Sequence, residues 1–283
     1  MIMTTWLITG AATGLGRALA EEVLARGDNA IITGHDASAL SDLASRYPST
    51  AVAQDLDVTR ADQRKAALTT ADQFGGIDVL VNNAAVDSVG AIEEQTDEDI
   101  RRQFEVNVFG ALDLTRAVLP GMRARRRGTI VNVSSMDGIA SLPGNGIYSA
   151  TKFALEGLTE ALWQELQPIG LRALLVEPGS FRTGIEARTH ASGEPIADYA
   201  ATGGAFRGML GSLTPEMFPG DPAHAATVIY DTVQSDPDRH WLVLGTDAQR
   251  RIRAKLDAFG AEFASGQEIG ASTDFPDSGP AVL

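Results

Sequence analysis

Short apolar runs alternate along the chain with longer segments in which apolar positions recur every three or four residues. The first run, residues 6–9, precedes a glycine-rich turn and a segment with Leu15, Leu19 and Val23 on one helical face. This alternation continues for most of the chain. The predicted strands are 6–9, 30–33, 51–53, 78–81, 129–134, 171–176 and 241–244, and the further predicted helices are 37–46, 60–74, 97–124, 147–167 and 222–234.

Apolar strands that alternate with helices require right-handed crossovers, which bury a parallel sheet on both faces. The pattern therefore predicts an α/β fold, a single doubly wound domain of the Rossmann type, with about seven parallel strands and helices on both faces. The pattern breaks at 184–221 and again from Gly266, where glycine, proline, serine and aspartate accumulate. We expect one domain over 1–265, with 184–221 as a substrate lid, and a C-terminal tail over 266–283.

Composition excludes several classes of partner. The chain of 283 residues carries a formal net charge of −14, which disfavours nucleic acids and anionic membranes; the basic run 123–127 is expected to be a solvated connection. It has no cysteine, so a reducing cytoplasm is the simplest location, and its four histidines lack metal-ligand spacing. No apolar stretch is long enough to span a membrane.

A glycine-rich turn follows the first predicted strand. Gly10, Gly14 and Gly16 lie where a larger side chain would keep a pyrophosphate away from the backbone, and the next helix begins there. Their spacing differs from the usual Gly-x-Gly-x2-Gly pattern. A tight strand-to-helix turn without a ligand is the alternative interpretation.

Three polar residues carry the candidate chemistry. Tyr148 and Lys152 are one helical turn apart, and an ammonium beside a phenol lowers its pKa, so that the tyrosine can exchange a proton with a substrate oxygen. Ser135 follows a predicted strand at its carboxyl end, where ligands of open α/β sheets bind. Alone, a Tyr-Lys pair at helical spacing or a turn serine is commonplace; their coincidence favours a catalytic site.

The ordered motifs resemble the short-chain dehydrogenase/reductase family over nearly the whole chain. The resemblance is carried by the glycine turn, Asp57-Val58, residues 82–85, Asn107, Ser135, Tyr148-x3-Lys152, Pro178-Gly179 and Thr183. It implies a dehydrogenase/reductase that moves a hydride between a nicotinamide dinucleotide and an alcohol or carbonyl. Ala85 is a departure, because the family usually has glycine there.

The resemblance also implies roles for individual residues. Tyr148 would be the acid/base, Ser135 would orient the substrate oxygen, Lys152 would bind the nicotinamide ribose, and Asn107 would support a relay water. Asp57 and Val58 would meet the adenine, Asn83 and Ala84 its ribose, and Phe181 with Thr183 the nicotinamide amide. The full set expected at the cofactor is Gly10, Thr13, Gly14, Leu15, Gly16, Gly34, His35, Asp57, Val58, Asn83, Ala84, Tyr148, Lys152, Pro178, Gly179, Phe181 and Thr183.

The cofactor choice depends on the end of the second strand. The position that takes Asp in NAD-dependent relatives holds Gly34, and the next holds His35, which can donate to a 2′-phosphate. NADP is therefore preferred, and NAD stays open because Thr13 replaces a basic residue found in many NADP enzymes and Asp36 adjoins the site.

The substrate is expected to be a small alcohol or carbonyl compound. The lid carries Tyr199, Phe206, Met209 and other apolar residues, which either face an apolar substrate or pack the lid onto the body. Asp87, Asp137 and Leu142 follow active-site segments and are candidates for substrate contact. By resemblance we expect a homodimer or homotetramer through 97–124 and 147–167, where Leu158, Leu162 and Leu166 serve the core or an interface.

Two other functions fit the same fold. One is an epimerase or dehydratase that uses its bound cofactor, and the other is a sensor that binds dinucleotide without turnover. The sensor is disfavoured because it would be free to lose Tyr148 or Lys152, and both are retained.

Overall fold

A parallel sheet forms the centre of the molecule. The computed structural model describes residues 3–185, 188–210, 212–275 and residue 279. Residues 186, 187 and 211 of the expected lid, and 276–278 and 280–283 of the expected tail, lie outside the described residues. The strands are β1 (Thr5–Ile8), β2 (Asn29–Gly34), β3 (Ala51–Asp55), β4 (Val79–Asn82), β5 (Ser88–Val89), β6 (Thr129–Val133), β7 (Arg172–Pro178), β8 (His190–Ala191) and β9 (Trp241–Leu244).

Helices connect these strands and cover the sheet. They are α1 (Gly14–Ala25), α2 (Ser41–Arg46), α3 (Ala61–Thr70), α4 (Asp97–Phe104), α5 (Ala111–Arg125), α6 (Gly146–Leu166), α7 (Gly203–Leu210), α8 (Pro222–Ser235) and α9 (Thr246–Ala271). A π-helical turn, Glu105–Gly110, joins α4 to α5. In the described ranges, no helix combines the length and apolar character needed to cross a membrane.

The strand order explains where a ligand can bind. Seven strands pair in the order β3-β2-β1-β4-β6-β7-β9, and every pairing is parallel. The chain direction across the sheet reverses between β1 and β4, which opens a crevice outside the carboxyl ends of these strands. The prediction of a doubly wound sheet with about seven parallel strands is confirmed.

Two apolar layers hold the helices onto opposite faces of the sheet. One layer packs α1 and α8 against the sheet, through residues such as Leu19 and Ile229. The other packs α5 and α6 through residues such as Leu114 and Trp163. Since alternate residues of each strand point to opposite faces, Ile8 belongs to the first layer and Leu7 to the second.

Three regions differ from the predicted elements. The predicted helix 97–124 is divided by the π turn at Glu105–Gly110. The segment after β9 forms α9, which the sequence interpretation did not include, and α9 runs through the expected boundary at 265 to Ala271. Within the expected lid, β8 pairs with β5 beside the main sheet, so this segment is fixed next to residues 88–89.

Candidate active site

The glycine turn forms a close-fitting cradle at the first residue of α1. Gly10 and Gly14 have φ values of +64° and +58°, which favour glycine. A Cβ on Gly16 would lie 2.4 Å from Asn83 Nδ2 and 2.5 Å from the Gly10 carbonyl oxygen. No larger side chain fits at Gly16, and the turn leads directly into α1, whose N-terminus favours an anion such as a pyrophosphate.

Asn83 and Ala84 support this turn directly. Asn83 Nδ2 donates to the carbonyl oxygens of Thr9 at 2.9 Å and Gly10 at 3.2 Å. The Thr9 hydroxyl accepts from the backbone amides of Asn83 and Ala84, both at 2.9 Å. The end of β4 and the glycine turn are therefore one rigid unit.

The residues expected at the adenosine lie at the ends of β2 and β3. Gly34 is buried, whereas His35 and Asp36 are exposed just after it. Asp36 caps the following 3₁₀ turn, because its Oδ1 accepts from the Ser38 amide at 2.8 Å. The Asp57 carboxylate accepts from the Thr59 backbone amide at 2.9 Å and from the Thr59 hydroxyl at 2.7 Å, so it already has hydrogen-bond partners within the protein. Val58 is buried in the core.

The remaining cofactor residues meet at the start of α1 and after β7. A Cβ on Gly14 would lie 2.8 Å from Thr183 Cβ, so the two segments touch. Gly179 lies so close to Asp247 that a Cβ there would be 2.3 Å from its Oδ1. Phe181 is buried, and its ring packs over Gly220. The other members are Thr13, which is exposed, Leu15, which is buried, and Pro178, which ends β7.

Ser135, Tyr148 and Lys152 converge at the carboxyl end of β6. Ser135 follows this strand, and Tyr148 and Lys152 lie in the first turns of α6, which begins after the left-handed Gly144 (φ +82°). Lys152 Nζ donates to the Val133 carbonyl oxygen at 2.8 Å and lies 5.5 Å from the Tyr148 ring centroid. The Ser135 hydroxyl acts on the Tyr148 phenol and lowers its pKa, against the effect of burial.

Asn107 is placed by the π turn. Its Oδ1 accepts from the Val86 amide, and its Nδ2 donates to the Val86 carbonyl oxygen, both at 2.8 Å. Nδ2 also donates to Thr151 Oγ1 at 3.1 Å, and Thr151 in turn donates to the Tyr148 carbonyl oxygen at 2.7 Å. Single π turns in helices often occur at functional sites, and this one connects Asn107 both to Val86 and to α6.

The pKa of Tyr148 shifts in the direction opposite to the sequence-based expectation. Burial raises the pKa of Tyr148 strongly, and the charges of Asp87 and Asp137 raise it further. Burial also lowers the pKa of Lys152 to about 8. The expected lowering was wrong for the protein alone, because burial dominates and the charges of Asp87 and Asp137 add to it, while the Lys152 ammonium bonds to Val133.

Two contacts near Ser135 were not predicted from the sequence. Asp137, which was only a candidate for substrate contact, binds Ser135: its amide donates to Ser135 Oγ at 3.1 Å, and its Oδ2 accepts from that oxygen at 3.3 Å. Arg251 of α9 donates to Asp137 Oδ1 at 2.5 Å and also to the Ala140 carbonyl oxygen. No local pattern links Arg251 to a segment 114 residues away.

A pair of buried carboxyls lies behind Lys152. Glu156 follows Lys152 by one turn of α6, and Glu177 on β7 is 0% exposed. Burial raises the pKa of Glu156 to about 7 and that of Glu177 to about 8, and each carboxyl acts on the other. The folded protein thus favours the protonated form of this pair near neutral pH.

The free energy of unfolding should therefore fall as pH rises from 6 to 9. Between the ordinary carboxyl pKa and the raised values, the folded state binds more protons than the unfolded state, so rising pH removes stability. Glu177→Gln should reduce this loss by at least about 1.4 kcal/mol, the equivalent of one pKa unit. Urea unfolding of each protein at pH 6 and at pH 9 measures this loss of stability. Glu165→Gln, on the exposed part of α6, should follow the parent protein; identical losses in all three proteins would contradict the assignment.

No other described feature competes with this site. A surface cleft of about 700 Å³ lies between α3 and α5, and none of the predicted site residues lines it. Among the described residues, no group of three or more histidines, aspartates and glutamates is arranged to hold a metal ion. The basic run is partly anchored, since Arg127 pairs with Asp78 at 2.9 Å.

The fold and the site together define a Rossmann-type protein with a serine, tyrosine and lysine beside a glycine-rich turn. The family model for short chain dehydrogenases matches residues 4–193. The chain therefore belongs to the short-chain dehydrogenase family, as the ordered motifs indicated.

Solved structures agree with this family. A short-chain dehydrogenase from Streptomyces avermitilis is 41% identical, with 96% of this chain and 98% of that one covered and a TM-score of 0.89. One from Burkholderia phymatum in complex with NAD is 25% identical (99% and 98% covered, TM-score 0.76). One from Sphingobium yanoikuyae in complex with NADPH is 26% identical (99% and 98% covered, TM-score 0.73). A curated relative that is 39% identical is matched over 64% of its own length.

Proposed function

We propose that the protein is an NADP(H)-dependent oxidoreductase that interconverts a ketone or aldehyde and the corresponding alcohol. The observation that carries this proposal is the convergence of Ser135, Tyr148 and Lys152 beside the glycine cradle, at the carboxyl ends of the strands. A substrate oxygen can meet the two hydroxyls there while a dinucleotide lies along the same edge.

The cradle fits a dinucleotide. Gly10, Gly14 and Gly16 bring the turn close to Asn83, Ala84 and Thr183, so the segments expected at the pyrophosphate and at the nicotinamide are contiguous. Neighbouring structures bind NAD or NADPH, which supports either form. We prefer NADP, because Gly34 offers no carboxylate to repel a 2′-phosphate and Asp36 is turned to its own cap.

The chemistry divides between the cofactor and the side chains. The bound cofactor supplies or accepts the hydride. Ser135 donates a hydrogen bond to the substrate oxygen, and Tyr148 transfers a proton to or from it. Lys152 binds the nicotinamide ribose, and Asn107 supports a relay water near this lysine while fixing α6 through Thr151.

We further propose a cytoplasmic homodimer or homotetramer. Phe153 and Leu158 on α6 are 46% and 39% exposed, and Phe109 before α5 is 47% exposed. Leu166 is instead buried in the core, and Leu162 packs partly against it. Apolar side chains exposed together on long helices are typical of subunit interfaces. The absence of cysteine from the chain suits a reducing compartment.

Calorimetric titration of the purified protein with NADPH and NADH tests the proposal. We expect NADPH to bind at least about tenfold more tightly, since a 2′-phosphate adds a charge-assisted contact. NADPH consumption with a panel of ketones then tests turnover. Binding of neither cofactor would reject the dehydrogenase assignment, and tighter binding of NADH would reverse the cofactor preference.

A further inference from the structure

Asp87 lies between the catalytic tyrosine and the lid. It follows β4 and directly precedes β5, whose partner β8 belongs to the lid segment. Its Oδ2 accepts a long hydrogen bond of 3.4 Å from Thr189 of this segment. Its negative charge acts on both Tyr148 and Lys152. The carboxyl group therefore adjoins the place where the substrate reacts.

The two aspartates at this site differ in their partners. Asp137 is ion-paired with Arg251 at 2.5 Å. Asp87 Oδ1 is buried and has no hydrogen-bond partner, and Asp87 forms no ion pair among the described residues, although the charges of Lys152 and His190 act on it from farther away. Burial, and then the charge of Asp137, raises the pKa of Asp87 to about 7.

A buried carboxyl oxygen that accepts no hydrogen bond is unfavourable unless a ligand compensates it. A neutral hydroxyl would satisfy this oxygen, but a cation would also stabilise the charge that burial and Asp137 disfavour. Asn107 of the tetrad bonds to both backbone groups of Val86, the residue before Asp87, so the cation would lie close to the reacting substrate oxygen.

We propose that the substrate carries a protonated amino group on the carbon next to the reacting carbonyl or alcohol carbon, and that Asp87 binds this ammonium. This inference rests on the proposed oxidoreductase function and names the substrate class. Asp87 is then a specificity residue, and Ser135 and Tyr148 remain the groups at the reacting oxygen.

The test compares 3-aminobutan-2-ol with 3-methylbutan-2-ol, in which a methyl group replaces the ammonium, and the longer-chain members of both series. Alcohols are suitable because amino ketones self-condense. Oxidation with NADP⁺ and with NAD⁺ is followed at pH 8, where the amine is charged. We expect kcat/KM to favour the amino alcohol, and Asp87→Asn to lower this preference at least about tenfold, the effect of a lost charge-assisted hydrogen bond.

Asp198→Asn removes a charge from an exposed part of the lid and should leave the preference unchanged. A preference that survives in Asp87→Asn, or equal losses on both alcohols, would overturn the proposal. Weaker NADP⁺ binding by Asp87→Asn with an unchanged preference would assign the carboxylate to the nicotinamide and also overturn it. Turnover of neutral alcohols alone would reject the amine and keep the oxidoreductase, whereas no turnover in either series would reject both.

Discussion

Tyr148→Phe should lower kcat for ketone reduction by at least about a hundredfold, because general acid catalysis contributes that much and more. In the proposed mechanism the buried phenol of Tyr148 is the group that donates the proton, and burial keeps it protonated at neutral pH. The Kd for NADPH should stay within about threefold, since only one hydroxyl is removed. Steady-state kinetics and a cofactor titration on the same preparation measure both quantities.

Tyr47→Phe provides a matched control. Tyr47 ends α2 and packs against the core layer of α1 and α8, away from the tetrad. This variant should keep the parent kcat. Comparable turnover in Tyr148→Phe would remove the acid/base role from Tyr148, and a parallel loss of NADPH binding would show that the phenol acts mainly in holding the cofactor.

Most of the sheet follows from local sequence patterns. Buried parallel strands are continuous apolar runs, so the predicted strand 241–244 has the bounds of β9, and 129–134 differs from β6 by one residue. The helix 147–167 was equally well marked, since α6 spans Gly146–Leu166. β6 is buried along its whole length, and α6 places Leu155, Trp163 and Leu166 in the core, so periodicity is informative there.

Helix α9 has apolar residues at helical spacing, but most of them are exposed rather than buried. Ile252, Leu256, Phe259 and Phe263 recur at helical spacing, but Leu256, Phe259 and Phe263 are 49%, 58% and 63% exposed. Gly260, Gly266 and Gly270 also lie within this helix. Because glycine disfavours helices by about 1 kcal/mol each, composition predicted a tail where the chain remains helical.

The site was predictable in its members but not in its couplings. The tetrad residues were recognisable from motif spacing, whereas Arg251 reaches Asp137 only through the tertiary fold. The direction of the Tyr148 pKa shift likewise depends on burial in the folded protein, and then on the charges of Asp87 and Asp137. Such long-range electrostatic effects cannot be predicted from the sequence, because helical spacing brings only Lys152 close to Tyr148.

The proposed preference for NADP depends on residues at the end of β2. Gly34 is buried, and a Cβ added there would lie 3.4 Å from Ala12 Cβ, an ordinary van der Waals contact. A Cβ can therefore be introduced at this position without moving the glycine turn. Asp36 does not supply the missing carboxylate, since it caps its own 3₁₀ turn.

Gly34→Asp should change the ratio of kcat/KM for NADPH to that for NADH by at least about a hundredfold in favour of NADH. A carboxylate at this position accepts from the ribose 2′-hydroxyl of NADH and repels the 2′-phosphate of NADPH. Each effect of about 1.4 kcal/mol changes kcat/KM about tenfold, so the two together change the ratio about a hundredfold. Initial rates with both cofactors and one ketone give the ratio directly.

Gly34→Asn separates charge from bulk, because asparagine has nearly the same shape as aspartate and no charge. It should shift the ratio far less than Gly34→Asp, since an amide does not repel a phosphate. Equal shifts in both variants would mean that added volume, not charge, displaces NADPH. An unchanged ratio in Gly34→Asp would mean that the ribose lies away from this strand end, and the preference for NADP would then have to rest on His35 alone.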